Sequence, residues 1–368
     1  MSAGGAEPGP ALAAVMARVA VTAESVGPRF PLYADPADGR WTTTGRGSWT
    51  GGFWAGLLWL RARYTGDAAD RRAAAACTAR LEPWAGADTA TRGLIFWYGT
   101  APAGDDAQAT ELQGLAARAV LSAYDHELGL VPWGDALGGP RLLARVDGVP
   151  GTVPLLAGAG PQGAAAAAAH LNRHLELCLR ASPGAPAPAL SFDAVAGWQP
   201  RADPPPGWSR GRAWLLLAVA DALLRPDLAR PGPAAARLDA AAELLAAELL
   251  AAGGESPAGG LVPVAEAGRP DGPLDTSAAA ITAVALLKLA RVPGPRAAGY
   301  AYRAEATLRR LAERHVTGPD SGRPPGMLLD GCYDAGKGLA VRHELVWGDF
   351  FLALGLAAVH GVVDITRV

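Results

Sequence analysis

One short segment of this chain carries residues whose types and spacing suit ligand binding. Residues 208–214 read Trp-Ser-Arg-Gly-Arg-Ala-Trp, which sets Arg210 and Trp214 four residues apart. On a helix, side chains four apart share a face and can reach the same ligand. The planar fork of Arg bonds both oxygens of a carboxylate, and Trp offers an apolar face to a sugar ring. The pair predicts a site for an acidic sugar, unless Arg210 is held internally by Asp275 or Asp349.

Asp147 is the candidate for proton transfer. It stands just before the apolar segment 149–157, and such a position also suits a simple N-cap of a buried helix. As a general acid, the carboxyl must be protonated near neutral pH, and a Trp-walled pocket emptied of water raises a carboxyl pKa. Both interpretations of Asp147 stay open from the sequence, with His343 and Glu344 as another possible acid/base pair.

Similar polar and Trp-rich segments precede or open other apolar stretches. They are 48–54, 91–93, 147–148, 208–214, 275–277 and 347–349. Helix capping explains the Ser, Thr and Asp residues locally, but five Trp residues among these segments exceed what capping explains. The candidate ligand contacts from these segments are Trp49, Thr91, Arg92, Trp208, Arg210, Trp214 and Trp347. Of the five residues Trp49, Trp54, Trp133, Trp208 and Trp347, we expect at least two to serve only as core.

Helical periodicity dominates the chain that must position these segments. Leu, Ala and Arg recur at i, i+3 and i+4 between Gly, Pro and Asp. The predicted helices span 10–26, 48–64, 67–84, 89–100, 106–124, 149–159, 161–181, 207–224, 233–252, 275–291, 295–315 and 346–360. Only 188–200 is predicted to hold short strands.

The predicted helices alternate in kind along the chain. Odd helices, such as 67–84 and 295–315, carry a charged face, whereas even helices are apolar nearly all round and must be buried. Six amphipathic helices alternating with six buried ones predict an all-α double ring, an (α/α)6 toroid. In such a ring the inner helices run parallel, so their N-termini meet at one mouth, where free N–H groups and helix dipoles favour an anion.

Composition limits the class of protein and its partners. The chain has 50% hydrophobic residues and a formal net charge of −2, which gives no electrostatic footprint for nucleic acid or an anionic membrane. No signal-type N-terminus or long apolar run is present, so we expect a cytoplasmic protein with one domain over 1–368 and a short flexible segment 1–9. Three cysteines lack metal-ligand spacing, and no metal or cofactor is predicted. The many prolines and Ala runs suggest a GC-rich bacterial genome.

With these segments in place, the sequence resembles the unsaturated glucuronyl hydrolases and the related unsaturated rhamnogalacturonyl hydrolases, which are (α/α)6 enzymes. Residues 208–214 are similar to their W-x-R-G-Q-A-W, 275–280 to D-S-S-A-A-A and 347–351 to W-G-D-Y-Y, while 49–60 resembles their first inner helix. Order and spacing match from about residue 30 to 360. The resemblance implies the toroid fold and a glycosidase that acts on unsaturated uronic sugars.

The resemblance also implies a mechanism. A carboxyl protonates C4 of a 4,5-unsaturated uronic residue and then activates water for C5, so hydration of a vinyl ether breaks the glycosidic bond. Asp147 matches the family's proton-transfer Asp, although one extra residue intervenes and Thr152 replaces an Asn. Trp133 aligns with a sugar-stacking Trp of the family, and Gln199 lies near a substrate-binding Gln.

The sequence departs from the family pattern at a second acidic position. Ala90-Thr91-Arg92-Gly93-Leu94 stands where the family has H-D-x-G-F, and a His expected near Ser191 is absent. Arg92 would add positive charge there, which lowers the pKa of nearby carboxyls. This loss motivates two alternatives to the hydrolase: a repurposed biosynthetic hydratase, dehydratase or isomerase acting on a sugar-derived metabolite, and a carbohydrate-binding or regulatory protein without catalysis.

Overall fold

The centre of the molecule is a closed ring of six helices, seen in a computed structural model that describes residues 9–179, 186–229, 232–251 and 260–368. The ring consists of α2 (Gly51–Thr65), α4 (Arg92–Thr100), α6 (Thr152–Ala157), α8 (Ser209–Leu223), α10 (Thr276–Leu289) and α12 (Val346–Val359). Each helix contacts the next, and α12 returns to α2. These helices are apolar on nearly every face, so burial on all sides is the stable arrangement. No helix in the described ranges has the length and apolarity needed to cross a membrane.

A second set of six helices surrounds the ring. It consists of α1 (Pro10–Val26), α3 (Ala68–Ala79), α5 (Ala107–Ser122), α7 (Gly160–Leu179), α9 (Pro233–Ala251) and α11 (Ala297–Arg314). Each packs against the inner ring; α1 lies on α12 and α2, and α5 lies on α4 and α6. In α11 the buried stripe contains Tyr300, Ala304, Leu308 and Leu311, which is the helical spacing of a one-sided core contact. The predicted all-α (α/α)6 toroid is confirmed, and the twelve helices of the described residues agree with the predicted spans to within a few residues.

Neighbouring inner helices approach so closely that glycine is required between them. A Cβ atom on Gly93 of α4 would lie 2.1 Å from the backbone nitrogen of Thr152, and one on Gly52 of α2 would lie 2.2 Å from the carbonyl oxygen of Ile95. Such contacts are far inside van der Waals distance, and backbone atoms cannot rotate away. These two glycines therefore set the spacing from α2 through α4 to α6.

Two antiparallel sheets lie at the end of the ring where the inner helices begin. One has the order β2-β1-β7-β6 and the other β3-β4-β5. Their strands are β1 (Phe30–Ala34), β2 (Trp41–Thr44), β3 (Leu143–Arg145), β4 (Ala189–Asp193), β5 (Gly197–Pro200), β6 (Gly331–Asp334) and β7 (Leu339–Leu345). Strand β3 leads toward α6, and β7 leads directly into α12.

The sequence prediction of strands was incomplete. Strands β4 and β5 fall in the predicted segment 188–200, but β1, β2, β3, β6 and β7 were not predicted. Strand β1 illustrates the reason, because it pairs with β7 through Tyr33 and Leu345, which lie at opposite ends of the chain. Short strands held by distant partners leave no periodic signal in their own sequence. The predicted flexible segment 1–9 lies outside the described residues except for Gly9, which precedes α1.

Candidate active site

A cavity of about 430 Å³ opens where the inner helices begin. Residues at the starts of α2, α4 and α8, the segment before α6 and the loop joining β6 to β7 line it. Seven of the predicted site residues face this cavity: Trp49, Thr91, Trp133, Asp147, Trp208, Arg210 and Trp214. Convergence of the inner-helix N-termini brings these residues together from segments that are far apart in the chain.

Arg92 is a predicted site residue that the fold turns away from the cavity. Its guanidinium is buried and donates hydrogen bonds to the carbonyl oxygens of Thr89, Ala85 and Ala119 at 3.0, 3.3 and 3.2 Å. Burial lowers the pKa of Arg92, and the nearby Asp88 carboxylate offsets part of this. Arg92 therefore stabilises the loop before α4. Its neighbour Thr91, at the N-cap of α4, lines the cavity instead.

Two other predicted site residues also do not line the cavity. Gln199 lies on exposed strand β5 and donates from its amide to the carbonyl oxygen of Ala196 at 2.8 Å. Trp347 is fully buried behind the cavity wall, with its ring centroid 4.9 Å from that of Trp49 and 5.1 Å from that of Tyr333. Trp347 thus supports the aromatic wall from behind.

Asp147 faces the cavity in a two-pronged ion pair with Arg145. Nε of Arg145 lies 2.9 Å from Oδ1, and Nη2 lies 3.0 Å from Oδ2. The guanidinium also stacks over Trp133, 4.5 Å from the ring centroid. Burial lowers the pKa of Arg145, but attraction to Asp147 and its hydrogen bonds outweigh burial, so the pKa is raised. Helix α6 begins at Thr152 after Gly151, which leaves Asp147 outside the N-cap position.

Sequence reasoning missed Arg145, although a signal existed. Arg145 ends β3 and Asp147 lies in the 3-10 turn Val146–Gly148 that follows. Residues two apart are close enough along the chain for the long Arg side chain to reach the carboxylate. An Arg-x-Asp spacing beside a candidate acid is therefore a reason to expect an ion pair.

Arg210 lines the cavity, but its hydrogen-bond donors are used by the protein. Nη1 donates to Asp275 at 2.5 Å and to the carbonyl oxygen of Cys332 at 2.6 Å, and Nη2 donates to the carbonyl oxygen of Tyr333 at 2.7 Å. The guanidinium also lies over the ring of Trp208, 4.8 Å from its centroid. Of the two internal partners that the sequence left open, Asp275 is the one that pairs with Arg210. Arg210 thereby connects the starts of α8 and α10 to β6.

Further charged residues line the cavity and were not predicted from the sequence. Lys337, in the loop after β6, donates to Asp203 at 3.0 Å and to Asp334 at 2.8 Å. Burial raises the pKa of Asp334, but the hydrogen bonds from Lys337 outweigh it and the pKa is lowered. Glu266 also lines the cavity and pairs with Arg269 at 3.2 Å. Asp334 ends the short strand β6, and the others lie on loops, so none belongs to a segment with a clear periodic pattern.

The pair His343 and Glu344 does not supply an acid and a base to the cavity. Glu344 is fully buried and accepts two hydrogen bonds from Arg18, at 2.9 and 2.6 Å. Burial raises the pKa of Glu344, and burial together with the nearby Glu344 charge raises that of Asp349 well above its usual range. Nδ1 of His343 bonds the carbonyl oxygen of Val341. This cluster joins α1 to β7 and α12.

Two buried histidines of α7 support the turn that holds Asp147. Nδ1 of His170 accepts the backbone N–H of Val131 at 3.1 Å, so Nε2 carries the proton and faces the carbonyl oxygen of Gly148 at 3.3 Å. Nδ1 of His174 donates to the carbonyl oxygen of His170 at 2.8 Å. Burial lowers the pKa of His170 well below its usual range and that of His174 to about 4. Both rings are therefore neutral near pH 7.

We expect the protein to lose stability as the pH falls from 6.5 to about 4, and His174→Asn to reduce that loss. In this window His174 is protonated in the unfolded chain but stays neutral in the fold, so the unfolded state binds more protons. Asn keeps a donor for the carbonyl oxygen of His170 but does not titrate. The measurement is the free energy of unfolding in urea across this range, with the exposed His126→Asn as control. An unchanged pH slope in His174→Asn would contradict the expectation.

Comparison with known proteins finds similarity to unsaturated glucuronyl hydrolases in both sequence and fold. No family model matches the chain. A curated unsaturated glucuronyl hydrolase of Bacillus sp. (strain GL1) is 26% identical over 352 residues, covering 88% of this chain and 89% of that protein. The solved structure of an unsaturated glucuronyl hydrolase variant with dGlcA-Glc-Rha-Glc superposes on this chain with a TM-score of 0.80. The two are 23% identical, and the superposition covers 95% of this chain and 96% of that one.

A second solved structure shows the same fold. An unsaturated glucuronyl hydrolase described as specific for heparin superposes with a TM-score of 0.82 at 20% identity, over 96% of this chain and 98% of that one. The structural likeness and the curated relative agree over nearly the whole chain. This chain therefore has the fold of the unsaturated glucuronyl hydrolases and is similar in sequence to the curated one over most of its length.

Proposed function

We propose that the protein hydrolyses an unsaturated uronide by adding water to its vinyl ether, with Asp147 as the proton-transfer group. The observation that carries the proposal is the carboxyl of Asp147 facing a cavity walled by Trp49, Trp133 and Trp208. Trp faces suit the apolar face of a sugar ring. The relatives, which are unsaturated glucuronyl hydrolases, support a glycoside hydrolase that acts on unsaturated uronic sugars.

In the proposed reaction, the protonated Asp147 donates its proton to C4 of the unsaturated ring as the C4=C5 double bond is consumed. Water adds to C5, and the Asp147 carboxylate accepts the proton that this water loses. The resulting hemiketal opens and releases the rest of the saccharide as an alcohol. Asp147 ends as it began, protonated, so one general acid/base group is sufficient for the cycle.

The N-termini of the inner helices support an anionic substrate. Thr91 at the start of α4 and Trp208 at the start of α8 both line the cavity. The first N–H groups of a helix have no intrahelical partner, and the helix dipole is positive at this end. A uronic carboxylate is therefore stabilised at this mouth more than a neutral sugar is.

A second candidate function is favoured by the ion pair at Asp147. A carboxylate that accepts two hydrogen bonds from Arg145 is in its ionised form, which is the form that removes a proton. A base of this kind suits an isomerase or a dehydratase acting on a sugar-derived metabolite. In that reaction the carboxylate abstracts a proton from the carbon next to a substrate carboxylate or carbonyl.

The test incubates the protein with an unsaturated uronic disaccharide made by a polysaccharide lyase. The proposed hydrolase removes the ultraviolet absorbance of the conjugated double bond and releases the second sugar in equal amounts. Loss of absorbance with the disaccharide still intact would favour an isomerase. Binding without any change in the substrate would favour a carbohydrate-binding protein.

A further inference from the structure

Both carboxyl oxygens of Asp147 accept hydrogen bonds from Arg145, whereas the first step of the proposed reaction needs a carboxyl that carries a proton. We propose that Arg145 recognises the carboxylate of the uronic substrate, and that it does so by releasing Asp147, which then takes up a proton. This inference rests on the proposed function. It assigns a role to Arg145 and makes protonation of Asp147 a consequence of substrate binding.

Arg145 is the cavity cation best placed to accept a new carboxylate. Three cationic side chains line the cavity within the described residues: Arg145, Arg210 and Lys337. Arg210 is only 3% exposed and already serves Asp275 and two backbone carbonyls, and Lys337 is held by two carboxylates. The side chain of Arg145 is 22% exposed, and its Nη1 has no hydrogen-bond partner among the described residues.

Arg145 lies beside Trp133, one of the residues against which a sugar ring would pack. Cζ of Arg145 lies over the ring of Trp133, 4.5 Å from its centroid, and this contact holds the guanidinium in place when Asp147 is released. Arg145 lines the same cavity as Trp49, Trp133 and Trp208, so a uronic ring held against these Trp faces would have its carboxylate within the cavity that Arg145 lines. A guanidinium meets a carboxylate through two parallel hydrogen bonds, so the incoming group can take over the geometry that Asp147 now occupies.

Exchange of partners places an excess of negative charge around Asp147. With Arg145 engaged by the substrate, two carboxylates stand beside one guanidinium. Asp203 and Tyr333 also act on Arg145, and His174, which interacts with Asp147, is neutral and offers it no counter-charge. Like charges brought close together favour protonation of one of them. The substrate carboxylate holds the guanidinium, so Asp147 takes the proton from solvent.

This exchange explains how Asp147 can pair with Arg145 in the free protein and still donate a proton once the substrate is bound. The ionised Asp147 cannot protonate C4, and it becomes an acid only when a uronic carboxylate arrives. The proton taken from solvent goes to C4, and the water that adds to C5 returns one to Asp147. A neutral sugar would leave Arg145 on Asp147, and the carboxyl would stay without the proton that C4 needs, so specificity and catalysis share one residue pair.

The first experiment measures recognition by calorimetry with glucuronate and its uncharged methyl ester as probes. We expect the wild-type protein to bind glucuronate about tenfold or more tightly than the ester, because charge-assisted hydrogen bonds to Arg145 are made only with the acid. Arg145→Gln should lose this preference, whereas Arg141→Gln, a matched change at an exposed arginine paired with Asp88, should keep it. Melting temperatures establish that both variants fold. A preference that survives Arg145→Gln overturns the proposal.

The second experiment counts protons by repeating the titration in buffers of different ionisation enthalpy. The exchange predicts uptake of about one proton with glucuronate, none with the ester and none in Asp147→Asn. Binding of glucuronate by the wild-type protein without proton uptake overturns the exchange. Failure of the wild-type protein to bind glucuronate overturns this inference, whereas the proposed function fails only if the unsaturated disaccharide is not hydrolysed.

Discussion

Asp147→Asn should lower turnover of an unsaturated uronide about 10²- to 10⁴-fold while the protein stays folded. Asn has nearly the same size as Asp but cannot carry the proton that the reaction transfers. Helix α6 should be unaffected, because Asp147 lies outside its N-cap position. Arg145 loses its partner but is partly exposed, so water screens its charge. Turnover and melting temperature are measured together on the same samples.

The matched control for this prediction is Asp227→Asn. Asp227 does not line the cavity, its side chain is 42% exposed, and it pairs with Arg225 at 3.7 Å. The same chemical change at this position should leave turnover close to that of the wild-type protein. Near-normal turnover in Asp147→Asn would mean that the proton comes from another group. Glu266 would then be tested next, because it lines the cavity, whereas Glu344 is sealed inside the protein.

Arg210→Met should lower the free energy of unfolding by about 3–5 kcal/mol, the usual cost of removing one partner of a buried ion pair. The change would leave the fully buried Asp275 without its cation and remove donors from the carbonyl oxygens of Cys332 and Tyr333. Met fills a similar volume, so packing alone would cost less. Urea unfolding at neutral pH measures the effect.

Two further variants separate charge from packing at this site. Adding Asp275→Asn to Arg210→Met should recover part of the loss, because Asn is uncharged and still caps α10 as Asp275 does. Arg40→Met, at an exposed arginine paired with Asp38, should change stability by no more than about 1 kcal/mol. A loss below that size in Arg210→Met would show that the guanidinium is not a brace. Arg210→Lys should then weaken substrate binding instead, since an ammonium lacks the two-pronged contact.

The sequence by itself determined the helical architecture. Whether a helix is apolar all round, as α10 is, or along one stripe, as α11 is, follows from residues within that helix. The alternation of these two kinds was therefore sufficient to predict the double ring. Asp147 could be placed near the mouth for the same reason, because it precedes an apolar segment that must be buried.

Only the tertiary structure decided which partner each charged side chain meets. Arg210 could be predicted to face an inner-helix mouth, but its partners lie 65 and 122 residues away in the chain. Arg92 was predicted to bind ligand, yet the carbonyl groups of a nearby loop and of α5 hold it inside. An Arg side chain is long enough to choose among several acceptors, and that choice depends on packing between elements that no local pattern encodes.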